Sequence, residues 1–143
     1  SGFRPNMFCK IKNRYGFVKP SGGLWASSVD APYGWKQWCE QEDFLVHRLK
    51  DSFTFKLSEN SKILHIRSVQ DLKLLPRQED LLFEPPFVCL DFEKLIDDGW
   101  DAVELHLSEE RRDELDWHDG LYWKLYGWDC DSILIMNPEI MEV

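Results

Sequence analysis

The sequence predicts an α+β domain, and three observations predict it. Short runs of alternating apolar and polar residues recur along the chain, the period of a strand with one buried face. One longer segment, Trp35 to Leu49, carries apolar residues at helical spacing. The regular strand–helix–strand rhythm of a doubly wound sheet is missing, so the sheet is expected to be mainly antiparallel or mixed, with one main helix and short helices. A length of 143 residues fits a single domain, 1–143. The 43% hydrophobic and 14% aromatic content supplies material for a packed core and excludes a disordered chain. Ser1-Gly2 reads as a cloning remnant and stays outside fold reasoning.

The elements follow in order. Met7 to Lys12 alternates and reads as a first strand. Lys19-Pro20-Ser21-Gly22-Gly23 is a turn, with proline setting φ and the glycines admitting positive φ. Leu24 to Ser28 is a short, buried strand. Pro32 and Gly34 break the chain before the main helix, whose Trp35, Trp38 and Cys39 form an apolar stripe. Ser52 to Leu57 and Ile63 to Ile66 read as strands separated by a turn at Asn60 and Ser61. Ser68 caps a short helix, Val69 to Leu75, with Asp71 in its first turn, and Pro76 stops it. Gln78 to Pro86 reads as a loop. Phe92 to Asp98 is a helix closed by Gly99, and Ala102 to Leu107 is a strand. Ser108 to Asp119 is a charged helix or loop, and Leu121 to Tyr126 a strand. Ser132 to Met136 is the most apolar run and is expected to be a central buried strand, ended by a turn at Asn137-Pro138.

With 26 acidic against 17 basic side chains, the formal net charge is −9. A duplex-binding surface needs clustered cations to displace counterions, so no general nucleic-acid affinity is expected, and anionic membranes are disfavoured for the same reason. Cys9, Cys39, Cys89 and Cys130 are far apart, show no CxxC pair and fit no zinc spacing, which reads as free thiols in a reducing, cytoplasmic setting. No apolar run reaches the ~18 residues that cross a bilayer.

Two segments carry the residue types that chemistry needs. Lys19 to Ser28, KPSGGLWASS, combines a glycine pair that lets backbone approach a ligand, a flat Trp25 ring, and the hydroxyls of Ser27 and Ser28. Trp128 to Pro138, WDCDSILIMNP, opens with Asp129 and Asp131 two apart, so that both point to one side if the strand starts there. Carboxylates so close repel, and one at a strand end can stabilise positive charge on a sugar ring. Each segment also has a plainer account: a tight turn into a core strand, and ordinary solvation of a strand end. Lys10 lies mid-strand, and Arg14 follows it with the reach of a phosphate ligand. His47, His65, His106 and His118 are scattered and suggest no triad, and His65 and His106 read as surface or satisfied half-buried groups.

The order of these segments resembles a group of small phage and bacterial proteins that share a KPxGGLWxS segment, a Trp-rich helix, a wDAVEL-like strand and a closing WDCDSILIMNP segment. More remotely it resembles the ADP-ribosyltransferase superfamily, in which a first strand bears a basic, His or Tyr residue, a glycine-led strand ends in small hydroxyl residues, and an acidic-x-acidic pair leads into a late buried strand. The matching positions are Lys10 or Arg14, then Gly23-Leu24-Trp25-Ala26-Ser27, then Asp129 and Asp131. The family's late acidic residue is usually Glu, which reaches farther than Asp131. The resemblance implies an ADP-ribosyltransferase-like fold and a mono-ADP-ribosyltransferase that takes NAD as substrate and transfers ADP-ribose to an acceptor, a protein being the expected one. It places NAD between the Gly22–Ser28 strand and the late acidic strand. Asp131 would stabilise the ribosyl cation, Asp129 would orient or activate the acceptor, and Trp25 and Ser27 would hold the nicotinamide and its ribose. Gly22, Gly23 and Lys10 or Arg14 would complete the binding residues.

Two other readings stand beside this one. A non-catalytic acidic interaction protein, such as a phage-type inhibitor of a host factor, would use the segment Glu109 to Asp119 against a cationic partner. A degenerate transferase fold would bind nucleotide without turnover.

Overall fold

Strand-forming runs of this chain meet in one mixed sheet that buries apolar residues on both faces. The structure is a computed structural model and describes residues 3–14, 19–80, 87–106, 128 and 130–142. A four-stranded sheet contains β1 (Leu24–Ala26), β3 (Ile63–Ile66), β6 (Ala102–Leu105) and β7 (Ser132–Ile135), in the order β1-β7-β6-β3. β7 lies antiparallel to both its neighbours, while β3 and β6 run parallel. That parallel pair requires a crossover, which α2 (Val69–Lys73), a hairpin of β4 (Arg77–Asp80) and β5 (Phe87–Leu90), and α3 (Phe92–Asp97) supply. A second small pair joins β2 (Lys56–Leu57) to β8 (Met141–Glu142).

Side-chain alternation divides the core. Leu134, Val103, Leu105 and Ile66 pack with Trp128, Phe92 and Leu95 on one face, joined by Trp25 and Leu64. Ile133, Ile135 and Ala102 pack on the other with Ile140, Phe8, Phe55 and Leu57. β7 is buried along its whole length because it is interior and covered on both faces, as the apolar run Ser132 to Met136 predicts. Each fully buried aliphatic side chain contributes roughly 1.5–3 kcal/mol relative to exposure.

Several elements are shorter than the sequence predicts. The expected strand Met7 to Lys12 is a 3-10 turn, Pro5–Met7, followed by a single bridge between Lys12 and Ser21. Two consecutive positive-φ glycines, Gly22 at 80° and Gly23 at 70°, bend the partner segment away from a regular ladder. The expected helix 35–49 ends at Gln41 in α1 (Trp35–Gln41). Asp43 adopts φ 51°, Phe44 N–H bonds the Cys39 carbonyl at 2.9 Å, and the Phe44 ring meets Trp38 at 5.4 Å. That is a Schellman ending with its hydrophobic contact, built on Asp instead of Gly. A 3-10 segment, Val46–Asp51, follows. The strand expected over 52–57 narrows to the two residues that β8 can pair. Part of the expected loop 78–86 is strand, since Arg77–Asp80 pairs with Phe87–Leu90. The helix readings at Ser68 and Gly99 hold: Ser68 Oγ accepts from Asp71 N–H, and Gly99, at φ 92°, closes α3. The expectations for 108–119 and 121–126 lie outside the described residues.

Candidate functional site

β1 and β7 bring the two chemistry-bearing segments side by side. Trp25 pairs with Leu134 and Ala26 with Ile133, so the hydroxyl end of β1 reaches the start of β7. There the Ser27 hydroxyl donates to the Asp131 backbone carbonyl at 3.0 Å and accepts from Trp35 N–H at 2.8 Å. Asp131 N–H in turn donates to the Tyr33 carbonyl at 3.0 Å. The turn before α1 is closed by Gln37, whose side-chain oxygen accepts from Gly34 N–H at 3.0 Å. Asp131 is therefore fixed through its backbone by the segment 27–37.

Its side chain lines an open cleft of about 230 Å³ at this end of the sheet, together with Ser28, Asp30, Arg67, Glu104 and His106. The Asp131 side chain is only 13% exposed, and its Oδ2 lies 3.4 Å from His106 Nδ1. One strand farther, His65 Nδ1 lies 3.0 Å from Glu104 Oε1, and the Arg67 guanidinium approaches the same oxygen at 4.0 Å. Acidic and basic groups thus alternate across three strand ends. The cause is register: His65 faces Glu104 in the parallel pair, and the alternate residues of β3, β6 and β7 that are apolar at one end of this face are polar at the other. The arrangement can hold a cationic or polar centre against Asp131 and an anionic group near Arg67. Among the described residues, no group of three or more His, Cys, Asp and Glu side chains is placed to hold a metal ion.

The sequence-predicted residues divide between the two ends of the sheet. Asp131 lines the cleft, whereas Ser27 meets only the Asp131 backbone beside it, its hydroxyl engaged by two backbone groups. Asp129 lies outside the described residues. Trp25 belongs to the opposite face, where its ring meets Trp128 edge-on at 4.8 Å and lies beneath the Lys19 ammonium at 5.0 Å. Lys19 also covers Trp35, at 4.5 Å. Gly22, Gly23 and Lys10 sit at the far end of β1 and β7, roughly 20 Å along the strands at about 3.3 Å per residue. Lys10 lines a separate cavity there. Arg14 is exposed beside Asn13 and lines neither cavity. The space expected between the Gly22–Ser28 strand and the late acidic strand does not exist, because β1 and β7 are hydrogen-bonded neighbours. What remains for a ligand is the cleft at their Ser28–Asp131 end.

His106, Glu104, His65 and Arg67 escape a reading that seeks a triad. The available signal was the complementary alternation of His65-Ile66-Arg67 and Glu104-Leu105-His106, which acquires meaning only once the two strands are paired. Cys9, Cys39 and Cys130 are free thiols. No helix among the described residues is long and apolar enough to cross a membrane.

No family model, curated protein or solved structure matches this chain.

Proposed function

We propose that the protein is an ADP-ribosyltransferase-type enzyme that takes NAD at the Asp131 cleft and transfers ADP-ribose to an acceptor, a protein being the expected class. The observation that carries the reading is the junction of the hydroxyl-ended strand β1 with the acidic start of β7, where Asp131 is mostly withdrawn from water and lines an open polar cleft. A carboxylate in such a setting has less competition from solvent when it faces positive charge. The reaction breaks the bond between the ribose C1′ and nicotinamide, which leaves with the electron pair. The acceptor nucleophile forms the new bond to C1′ and loses its proton. Asp131 stabilises the charge that develops on the ribose between those events. His106 holds the Asp131 carboxylate in place, and Asp129, two residues upstream, orients the acceptor.

The cleft lies below the ~300–1,000 Å³ of typical ligand pockets, so it suits the reacting ribose end alone. The pyrophosphate then runs over the rim near Arg67, whose guanidinium suits phosphate oxygens. Trp25 supports the strand from the opposite face in this arrangement instead of touching nicotinamide.

The test is calorimetric titration with NAD, with released nicotinamide followed in parallel. Saturable binding with release is expected, and Asp131→Ala should abolish release with little change in melting temperature. Unchanged release in that variant removes Asp131 from the chemistry. No binding at all overturns the reading and leaves an acidic surface directed at a protein partner as the account of the −9 charge.

A further inference from the structure

The second cavity explains the placement of Lys10, which the Asp131 cleft leaves unused. It measures about 410 Å³ and lies where β7 ends and β6 begins, so the length of the sheet separates it from Asp131. Phe8, Ile96, Trp100, Met136 and Pro138 give it an apolar wall. Its polar side chains Asp101 and Asn137 already have hydrogen-bond partners. Asp101 Oδ2 accepts from Lys62 N–H at 2.9 Å and Oδ1 from Asn137 Nδ2 at 3.0 Å, while Asn137 Oδ1 accepts from Glu139 N–H at 3.1 Å. The Asp101 backbone carbonyl accepts from both Met136 and Asn137. The Lys62 ammonium lies over the Trp100 ring at 5.4 Å. Lys10 has no acceptor or counter-ion among the described residues.

The backbone at Lys10 is also held firmly. Gly23 N–H bonds the Cys9 carbonyl at 2.9 Å, and a Cβ on Gly22 would lie 2.3 Å from the Lys10 carbonyl oxygen. The glycine pair therefore holds the 9–10 backbone close to the start of β1, where Lys10 lines the cavity.

We infer that this cavity binds a monoanion with a flat apolar body, an aromatic carboxylate in chemical class. The apolar wall takes the ring system, for which Phe8 and Trp100 provide aromatic contact. The Lys10 ammonium takes the carboxylate. A polyol or a bare nucleobase fits badly, because its polar atoms would meet side chains whose hydrogen-bonding groups are already engaged.

The test uses 2-naphthoate as probe, with 2-naphthamide as its neutral counterpart, titrated into the whole protein and followed by calorimetry and by shifts of the tryptophan indole N–H resonances. Naphthoate should bind saturably and move the Trp100 resonance, and naphthamide should bind about tenfold more weakly or less. Lys10→Glu should lower naphthoate affinity at least about tenfold, and Lys10→Met should give an intermediate loss, both with unchanged melting temperature because Lys10 is exposed. Asp131→Asn should leave naphthoate binding intact, which separates this site from the proposed NAD cleft. Absence of saturable naphthoate binding, equal affinity for the amide, or full affinity in Lys10→Glu would each overturn the inference.

Discussion

The Ser27 side chain and the Asp131 main chain are joined directly: Ser27 Oγ donates to the Asp131 carbonyl at 3.0 Å across 104 residues of sequence. The same oxygen accepts the first N–H of α1, at Trp35, so one hydroxyl ties strand end, helix start and acidic segment together. Ser27→Ala leaves a carbonyl and an N–H without this partner in a half-buried place. The expected loss is about 1–3 kcal/mol, read from urea unfolding. The His106–Asp131 separation should also loosen, seen as a change in the His106 ring resonances of the variant. An unfolding midpoint equal to that of the parent would mean that water replaces the hydroxyl without cost.

A second long-range polar tie fixes the start of α3. Asn13 Oδ1 accepts from Phe92 N–H at 2.8 Å, its Nδ2 donates to Asp91 Oδ1 at 2.7 Å, and Asp91 Oδ1 accepts from Lys94 N–H at 3.0 Å. The helix N-terminus is thus capped twice, once locally and once from a segment about 80 residues away. Asn13→Ala and Asp91→Ala should each cost about 1–2 kcal/mol. Because the two side chains share a bond, the double variant should cost less than the sum. A strictly additive cycle in urea denaturation would show that the caps act independently.

What the sequence makes legible follows from where the information lies. The burial of β7 was readable because an uninterrupted apolar run fits an interior strand covered on both faces. The Ser68 and Gly99 helix ends were readable because capping is local chemistry. The end of α1 at Gln41 was not, since it depends on Asp43 taking positive φ, a conformation that Asp adopts uncommonly. The first expected strand failed for a related reason: its alternation is real, and Ile11 is fully buried, but the positive φ of Gly22 and Gly23 interrupts the regular ladder and leaves a single bridge at Lys12. At the candidate site, Asp131 and Ser27 stood out by residue type. His106, Glu104 and Arg67 did not, because parallel register between strands 39 residues apart decides what they face. Lys10 and Asp131, which the resemblance places in one site, line separate cavities at opposite ends of the sheet.

Lys94 gives a pH signature on α3. Its ammonium pairs with Asp98 one turn along the helix, and this hydrogen bond, reinforced by the charges of Asp98, Asp97 and Asp91, raises its pKa above the ordinary lysine value. A folded-state value above the unfolded one means that the contribution is fully present below the unfolded pKa of 10.5 and disappears as pH rises through the folded value. The Lys94 Nζ resonance should therefore titrate above the ordinary lysine value, and Asp98→Asn should bring it back toward that value. A Lys94 titration that does not respond to Asp98→Asn would assign the shift to another cause. The pair is solvent-exposed, so its weight in overall stability is small.

Gly22 and Gly99 share a positive φ yet should respond very differently to alanine. Both positions carry the backbone strain of a left-handed residue, at φ 80° and 92°, which costs an L side chain about 1–2 kcal/mol. At Gly99 a new Cβ would meet only the Lys62 ammonium, at 3.2 Å, the far end of a flexible chain that can move aside. At Gly22 it would lie 2.3 Å from the Lys10 carbonyl oxygen and 2.7 Å from that of Cys9, both backbone atoms. Relief there requires the 9–10 segment to lift from β1, breaking the bond from Gly23 N–H to Cys9 and disturbing the buried Ile11. Gly99→Ala should therefore lose about 1 kcal/mol, and Gly22→Ala at least about twice that, in parallel urea titrations. Gly22→Ala should also weaken naphthoate binding at the Lys10 cavity, which Gly99→Ala should affect less, although Gly99 also lines that cavity. Equal losses of stability would show that backbone strain alone governs both positions and that the 9–10 segment does not press on Gly22.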